Sequence, residues 1–262
     1  MSENDRHALI LRTLRKQAFA TVRDLQDIVQ ASPATIRRDI AKLHGEGQVR
    51  KVFGGIAGQD KGPLERLSAR PFGENQTLAV ASKRAIAAEA EKLVRDGDSI
   101  IIHGGSTCLL FAERLAHRSL RIFTNSMPLA AALSQHGSCH LTLTGGDLYR
   151  EPGILFATSA AMPEFYASKF FIGAQAIGPQ GSMESNPLIV REAEKLLARA
   201  DEVVMLADSQ KFGLRARYEL LSLSRIGTLV TDDGVTAEDR RMLEAAGVRV
   251  IVAHRQAEGE GP

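Results

Sequence analysis

The chain has only two cysteines in 262 residues, Cys108 and Cys139, and they lack the close spacing of a metal site. Buried small side chains account for them better than redox chemistry does, and no metal or cofactor is called for. Long apolar runs are missing as well, so no segment reads as spanning a bilayer. Near the N-terminus Asp5, Arg6, Arg12, Arg15 and Lys16 interrupt every apolar stretch, which argues against a signal peptide. The expectation is a cytoplasmic protein with no membrane partner. No repeat of roughly 20 to 50 residues and no low-complexity tract is visible.

What remains is 44% hydrophobic and 24% charged, the composition of a soluble globular protein with one large or two modest domains. The charge is unevenly divided. Residues 1–57 hold ten Lys+Arg and six Asp+Glu, a net of +4, which leaves −2 for the remainder of a chain whose total is +2. Such asymmetry fits a module that meets phosphates joined to one that does not.

The basic part contains the run Ser32-Pro33-Ala34-Thr35-Ile36-Arg37-Arg38-Asp39-Ile40. Ser32 suits a helix N-cap and Pro33 the first helical position. In that register Ile36, Ile40 and Leu43 share one stripe, while Thr35, Arg38 and Lys42 gather on the opposite face. A short cationic helix face fits the major groove, where Arg bonds guanine bidentately. An isolated Arg-Arg pair would read as a solvated face, but its context is specific. His7, Ile10, Leu11 and Leu14 form one helical stripe, Val22, Leu25, Ile28 and Val29 a second, and Gln30-Ala31 turns into the third helix. Gly45 and Gly47 end that helix, Val49 to Phe53 has strand composition, and Gly54-Gly55 supplies a turn. This is a winged helix-turn-helix. Operator DNA is its expected partner, met by Ser32, Thr35, Arg37, Arg38 and Lys42 on the helix and by Arg50 and Lys51 on the wing.

Ser32, Thr35, Ile36, Arg37, Arg38, Asp39, Ile40 and Leu43, with Gly54-Gly55, make this segment resemble the N-terminal domain of the DeoR family of bacterial transcriptional regulators. Phe53 stands where that family often has His.

Residues 58–75 read as a linker between a DNA-binding domain, 1–57, and a second domain, 76–255. Leu78 to Val94 reads as a helix. Beyond it, seven short apolar runs alternate with amphipathic helices: Ser99–Ile102, Leu120–Phe123, Leu141–Leu143, Phe170–Ile172, Val203–Leu206, Thr228–Val230 and Val248–Val252. The pattern is α/β with a mostly parallel, Rossmann-like sheet. Nearly every run ends in small or polar residues: Gly104-Gly105-Ser106-Thr107, Thr124-Asn125-Ser126, Thr144-Gly145-Gly146, Gly173-Ala174-Gln175 and Asp208-Ser209-Gln210-Lys211. In an open parallel sheet these loops share the carboxyl edge, where ligands bind at topological switch points. The first of them precedes a helix starting near Thr107 and presents N–H groups and hydroxyls to an anion such as phosphate. Tight strand-to-helix turns use the same residues for purely structural reasons. Lys211 beside Asp208 adds an ammonium that a solvated surface lysine would not need to place there. His103 reads as a strand cap in preference to an anion contact.

These loops resemble the sensor domain of the same family, so the likeness runs from about Arg6 to Val252. The helix bearing Glu192, Ala193, Glu194 and Lys195 matches too. The resemblance implies a fold related to ribose-5-phosphate isomerase and CoA transferases, and a phosphorylated sugar or sugar acid as effector. Gly105, Ser106, Thr107, Thr124, Asn125, Gly145, Gly146, Asp208 and Lys211 fall at the family's loop positions and are the expected effector contacts. Within the family the loops are most like those of the L-ascorbate-utilisation repressor type. His103 and Gln175 depart from it, standing where many members carry acidic residues.

Two functions compete. One is a ligand-released repressor of a carbohydrate-catabolic operon, working as a homodimer or homotetramer because helix-turn-helix proteins pair half-sites. The other is a sugar-phosphate isomerase-like enzyme fused to a DNA-binding module. Isomerisation needs a carboxylate to move a proton between carbons, and Gly173-Ala174-Gln175-Ala176-Ile177 supplies none, although Glu192 and Asp208 remain. The balance favours the regulator.

Overall fold

The computed structural model describes residues 3–16, 19–46, 48–52, 55–58, 71–156 and 165–255. The chain divides into two compact units, Met1–Arg66 and Leu67–Pro262.

The first unit runs α1 (Glu3–Lys16), β1 (Phe19–Thr21), α2 (Val22–Val29), α3 (Pro33–Gly45), β2 (Val49–Val52) and β3 (Gly55–Gly58). Local signals set the helix starts. Thr21 and Asp24 form a reciprocal capping box at α2, and Ser32 caps α3 with Pro33 just inside it. Gln30 closes α2 in the left-handed region, φ 54°. Ile10, Leu14, Leu25, Val29, Ile36, Ile40, Leu43, Val49 and Ile56 make a core in which α1, α2 and α3 share one interior with the sheet. Ile28, expected on the buried stripe of α2, is instead 40% exposed, while Leu25 and Val29 are buried in the core and Val22 packs against it. The antiparallel sheet has the order β1-β3-β2, and β1 is a strand that three residues of sequence do not announce. Gly55 is required where β3 meets β1, since a Cβ there would lie 2.1 Å from the carbonyl oxygen of Ala20. Phe53, Gly54 and Gly47 lie outside the described residues, as does 59–70 of the expected linker.

Gly58 still pairs with Val49 in the wing. At the other end of the expected linker, Phe72 packs on the core of the second unit. Gly58 and Phe72, at either end of the expected linker, thus lie within described elements.

The second unit begins with α4 (Phe72–Thr77), α5 (Val80–Glu91), β4 (Ser99–Ile102), α6 (Ser106–Leu115), β5 (Arg121–Thr124), α7 (Met127–His136) and β6 (His140–Leu143). The hairpin β7 (Asp147–Tyr149) and β8 (Ile154–Phe156) follows, then β9 (Ala167–Ile172), β10 (Ala176–Gly178), β11 (Gly181–Glu184), α8 (Pro187–Leu197) and β12 (Ala200–Leu206). The last elements are β13 (Tyr218–Leu221), β14 (Thr228–Asp232), α9 (Ala237–Ala245) and β15 (Arg249–Ala253). A break at Ala79, φ 49°, separates α4 from α5, so the helix expected from Leu78 starts at Val80.

All seven apolar runs become one parallel sheet of order β15-β14-β12-β9-β4-β5-β6. Alternate side chains feed two cores. Ile100, Ile102, Phe171 and Val204 meet α5 and α6 on one face, and Ile101, Phe170, Ile172 and Met205 meet α8 on the other. From β4 the chain runs outward through β5 to β6, then returns to β9 on the other side of β4. The switch point thus lies between β4 and β9, and the loops after both strands open there. Among the described residues, no helix is long and apolar enough to cross a membrane.

Candidate DNA-reading face and effector site

On α3, Ser32, Arg37, Arg38 and Lys42 are exposed and Thr35 is half-buried. Ser32 works within the chain: its Oγ accepts from the Thr35 amide at 3.2 Å and lies 2.9 Å from the Thr35 hydroxyl. Lys42 pairs with Glu3 of α1. Neither Arg37 nor Arg38 has an ion-pair partner among the described residues, so both guanidinium groups project from the unit. Lys51 is exposed on β2. His44 Nδ1, 3.2 Å from the Val49 carbonyl and 3.4 Å from the Lys51 amide, ties the start of the wing to the end of α3. The side chain of Arg50 lies outside the described residues; its backbone pairs with Ala57.

Asp39 is the residue whose role the helix register alone does not reveal. It is buried, and Arg6 of α1 grips it through Nε to Oδ2 at 2.7 Å and Nη2 to Oδ1 at 3.0 Å, with His7 Nε2 a further 3.3 Å from Oδ1. The Arg6 guanidinium holds the carboxyl below the usual carboxylate range. Asp39 therefore fixes the angle of α3 on α1 and, through it, the direction in which Arg37 and Arg38 point.

In the second unit, α6 starts at Ser106, one residue earlier than expected, with Gly105 as its N-cap at φ 149°. Among the described residues no side chain caps it, which leaves first-turn amides open to another acceptor. Thr107 is buried behind Ser106. Thr124 laces the sheet edge together: its hydroxyl donates to the Ile102 carbonyl at 2.6 Å and accepts from the Ser126 amide at 3.1 Å. Asn125 is buried beside it with neither amide atom partnered among the described residues. Each such atom costs about 1–3 kcal/mol if left unmet. Gly145 and Gly146 lie exposed at the end of β6, the outermost strand. Asp208 is buried, and its Oδ1 accepts from the Gln210 amide at 3.2 Å to start the turn that carries half-buried Lys211.

A second lysine joins this pair. Lys83, on α5, is only 2% exposed and donates to the Asn75 carbonyl of α4. Burial lowers its pKa, the Asp208 carboxylate raises it, and the Lys211 ammonium lowers it again. Burial pushes the Glu184 carboxyl up, with Lys211 among the groups acting against that. The charges of Asp208 and Lys211 are thus felt at Lys83, and that of Lys211 at Glu184. Gln175 is taken up structurally: its Oε1 accepts from the Ser185 amide at 2.9 Å and holds the loop before α8.

Residues 6–61 match the DeoR-like helix-turn-helix domain, and residues 78–233 match the DeoR C terminal sensor domain. The chain belongs to the DeoR family. It is 29% identical over 252 residues to the HTH-type transcriptional regulator UlaR of Shigella dysenteriae serotype 1 (strain Sd197), spanning 96% of this chain and 99% of that one. The UlaR of Escherichia coli O1:K1 / APEC matches to the same extent. Ribose 5-phosphate isomerase A of Methanocaldococcus jannaschii overlaps 50% of this chain and 53% of its own, at 21% identity and a TM-score of 0.39. As a member of the DeoR family with both domains, the protein is a DNA-binding transcriptional regulator, which sets the isomerase reading aside.

Lys83 is a buried cation that the glycine- and hydroxyl-rich loops do not point to. A signal was available: Lys83 stands with Ile86, Ala87 and Ala90 at the i, i+3, i+4 and i+7 positions of α5, a cation in a buried stripe.

Proposed function

We propose that this DeoR-family regulator represses a carbohydrate-catabolic operon and leaves its operator when a phosphorylated sugar or sugar acid binds the carboxyl edge of the seven-stranded sheet. One observation carries the effector half of this reading. Lys83 is almost fully buried, and both the Asp208 carboxylate and the Lys211 ammonium act on it electrostatically. Burying an ammonium near another is unfavourable unless something anionic compensates, and a phosphate dianion does so better than one carboxylate. The uncapped start of α6 at Gly105, Ser106 and Thr107 adds amide donors and the favourable end of a helix dipole.

On the DNA side, Arg37 and Arg38 read bases and phosphates in the major groove, with Thr35 and Lys42 alongside, while Arg50 and Lys51 hold the backbone from the wing. Pairing of half-sites makes a dimer or tetramer the working form.

Release requires that the effector prefer the arrangement that does not bind DNA, and a coupling of about 1–3 kcal/mol changes operator affinity about 5- to 150-fold. Lys83 supplies a route. Its ammonium is bonded to the Asn75 carbonyl in α4, the first described helix after the segment joining the units. A dianion that draws the ammonium toward itself weakens that bond and loosens α4.

Calorimetry with sugar phosphates and their unphosphorylated counterparts tests the site. The phosphorylated form should bind at least tenfold more tightly. Equal binding of the two forms would refute the anion assignment.

A further inference from the structure

His103 and Asn125 stand one step beyond Ile102 and Thr124, the last paired residues of β4 and β5, on strands about 4.8 Å apart. Side chains alternate along a strand, so both project from the face that carries Ile101, Phe123 and Phe170. The His103 ring meets Phe170 edge-on at 6.1 Å, which agrees with that placement. Both residues are nearly fully buried, at 2% and 1% exposure.

Their polar atoms can be assigned. His103 Nδ1 lies 3.1 Å from the Gly104 carbonyl oxygen. A carbonyl only accepts, so Nδ1 carries the proton and Nε2 presents a bare lone pair. Burial brings the imidazole pKa down to about 4, which keeps this neutral form in place at physiological pH. Among the described residues nothing donates to Nε2, and nothing partners Asn125 Nδ2 or Oδ1. Two neighbouring buried side chains therefore offer two acceptors and one donor group.

We propose that His103 and Asn125 form a hydroxyl-reading subsite that takes a vicinal diol of the effector. One hydroxyl donates to His103 Nε2 and accepts from Asn125 Nδ2, and its neighbour donates to Asn125 Oδ1. The subsite's place in a larger ligand rests on the effector reading above, because His103 leads directly into the Gly104-Gly105-Ser106 loop. Gly104 packs close to the turn that follows Asn125: a Cβ there would lie 3.5 Å from Ser126 Cβ, with Ile154 Cγ1 of β8 nearer still at 2.9 Å. A lone pair on Nε2 repels carboxylate and phosphate oxygens, so this end selects hydroxyls while Lys83 and Lys211 select charge. Buried polar groups built to bond a hydroxyl discriminate strongly against ligands that lack it.

The test uses the full-length protein labelled with ¹⁵N-histidine and ¹⁵N backbone. Glycerol serves as a neutral vicinal diol and inorganic phosphate as the anion. The His103 signal is assigned by its loss in His103→Gln. Glycerol should shift the His103 Nε2 resonance saturably, and phosphate should leave it in place while shifting the amides of Gly105, Ser106 and Thr107. Asn125→Leu should weaken the glycerol response at least tenfold with the phosphate response within twofold of wild type; the wild-type titrations stand without this variant. A His103 resonance that follows phosphate, or that shows no saturable change with glycerol, would overturn the subsite. If glycerol acts as expected but phosphate leaves the three amides unmoved, the diol subsite stands and the anion assignment fails.

Discussion

The two units place their charge in opposite ways. In the first, the candidate DNA contacts Arg37, Arg38 and Lys51 are exposed, and the buried charge, Asp39, serves to aim them. In the second, four of the candidate ligand groups are themselves buried: Lys83, Asp208, His103 and Asn125 are each 2% exposed or less. The difference follows from the partner. DNA supplies a dense array of phosphates that releases counterions when long, solvated cations meet it, so exposure costs little. A small effector supplies few contacts, and each must be strong, which requires groups already desolvated and oriented before it arrives.

Substitutions that exchange these strategies break the comparison. The largest effect is expected at Asp39. Asp39→Ala removes the partner of Arg6 and should destabilise the first unit by roughly 2–3 kcal/mol, seen as a lower unfolding midpoint for that unit with the second unchanged. Because Arg6 lowers the Asp39 pKa, the wild-type contribution is present above the unfolded carboxylate value of about 3.9 and is lost as pH falls through the folded value. The variant should lack that acid-dependent loss, and an identical profile in both proteins would remove Asp39 from the account.

Lys83→Met keeps the apolar stem and deletes the buried ammonium. Effector affinity should fall thirtyfold or more, about 2 kcal/mol, in calorimetry, and operator affinity without effector should fall as well, because the bond that holds α4 at Asn75 is lost. Arg38→Ala should cost about 1–3 kcal/mol of operator binding and relax sequence preference in titrations at fixed salt. Equal loss on operator and scrambled DNA would make Arg38 a phosphate contact. The smallest effect belongs to the wing: Lys51→Ala should reduce the slope of log affinity against log salt by about 0.9.

Much of this was legible in the sequence because the signals are local. Ser32 and Pro33 set the start of α3, and the seven apolar runs became the seven parallel strands because each carries its own period and its own terminating loop. The three-residue strands β1, β7 and β8 escaped notice, since so short a segment cannot display alternation. In the antiparallel sheet of order β10-β11-β13, β13 pairs with β11 from far along the chain, and no local pattern announces such pairing. In the candidate site, loop residues were visible through glycine and hydroxyl content. Lys83 was hidden because it reaches the same place from a helix, and Thr124 and Asn125 look alike in sequence although one is bonded within the sheet and the other is not.

The most direct test of the central claim is operator titration of wild type and Lys211→Ala across a set of sugar phosphates and their dephosphorylated counterparts. Without effector the two proteins should bind operator equally. At least one phosphorylated compound should weaken wild-type binding by about 5- to 150-fold, its dephosphorylated form should not, and Lys211→Ala should stay on the operator throughout. If Lys211→Ala loses operator affinity with no compound present, or is released as readily as wild type, sensing and DNA reading are not divided between the units in this way.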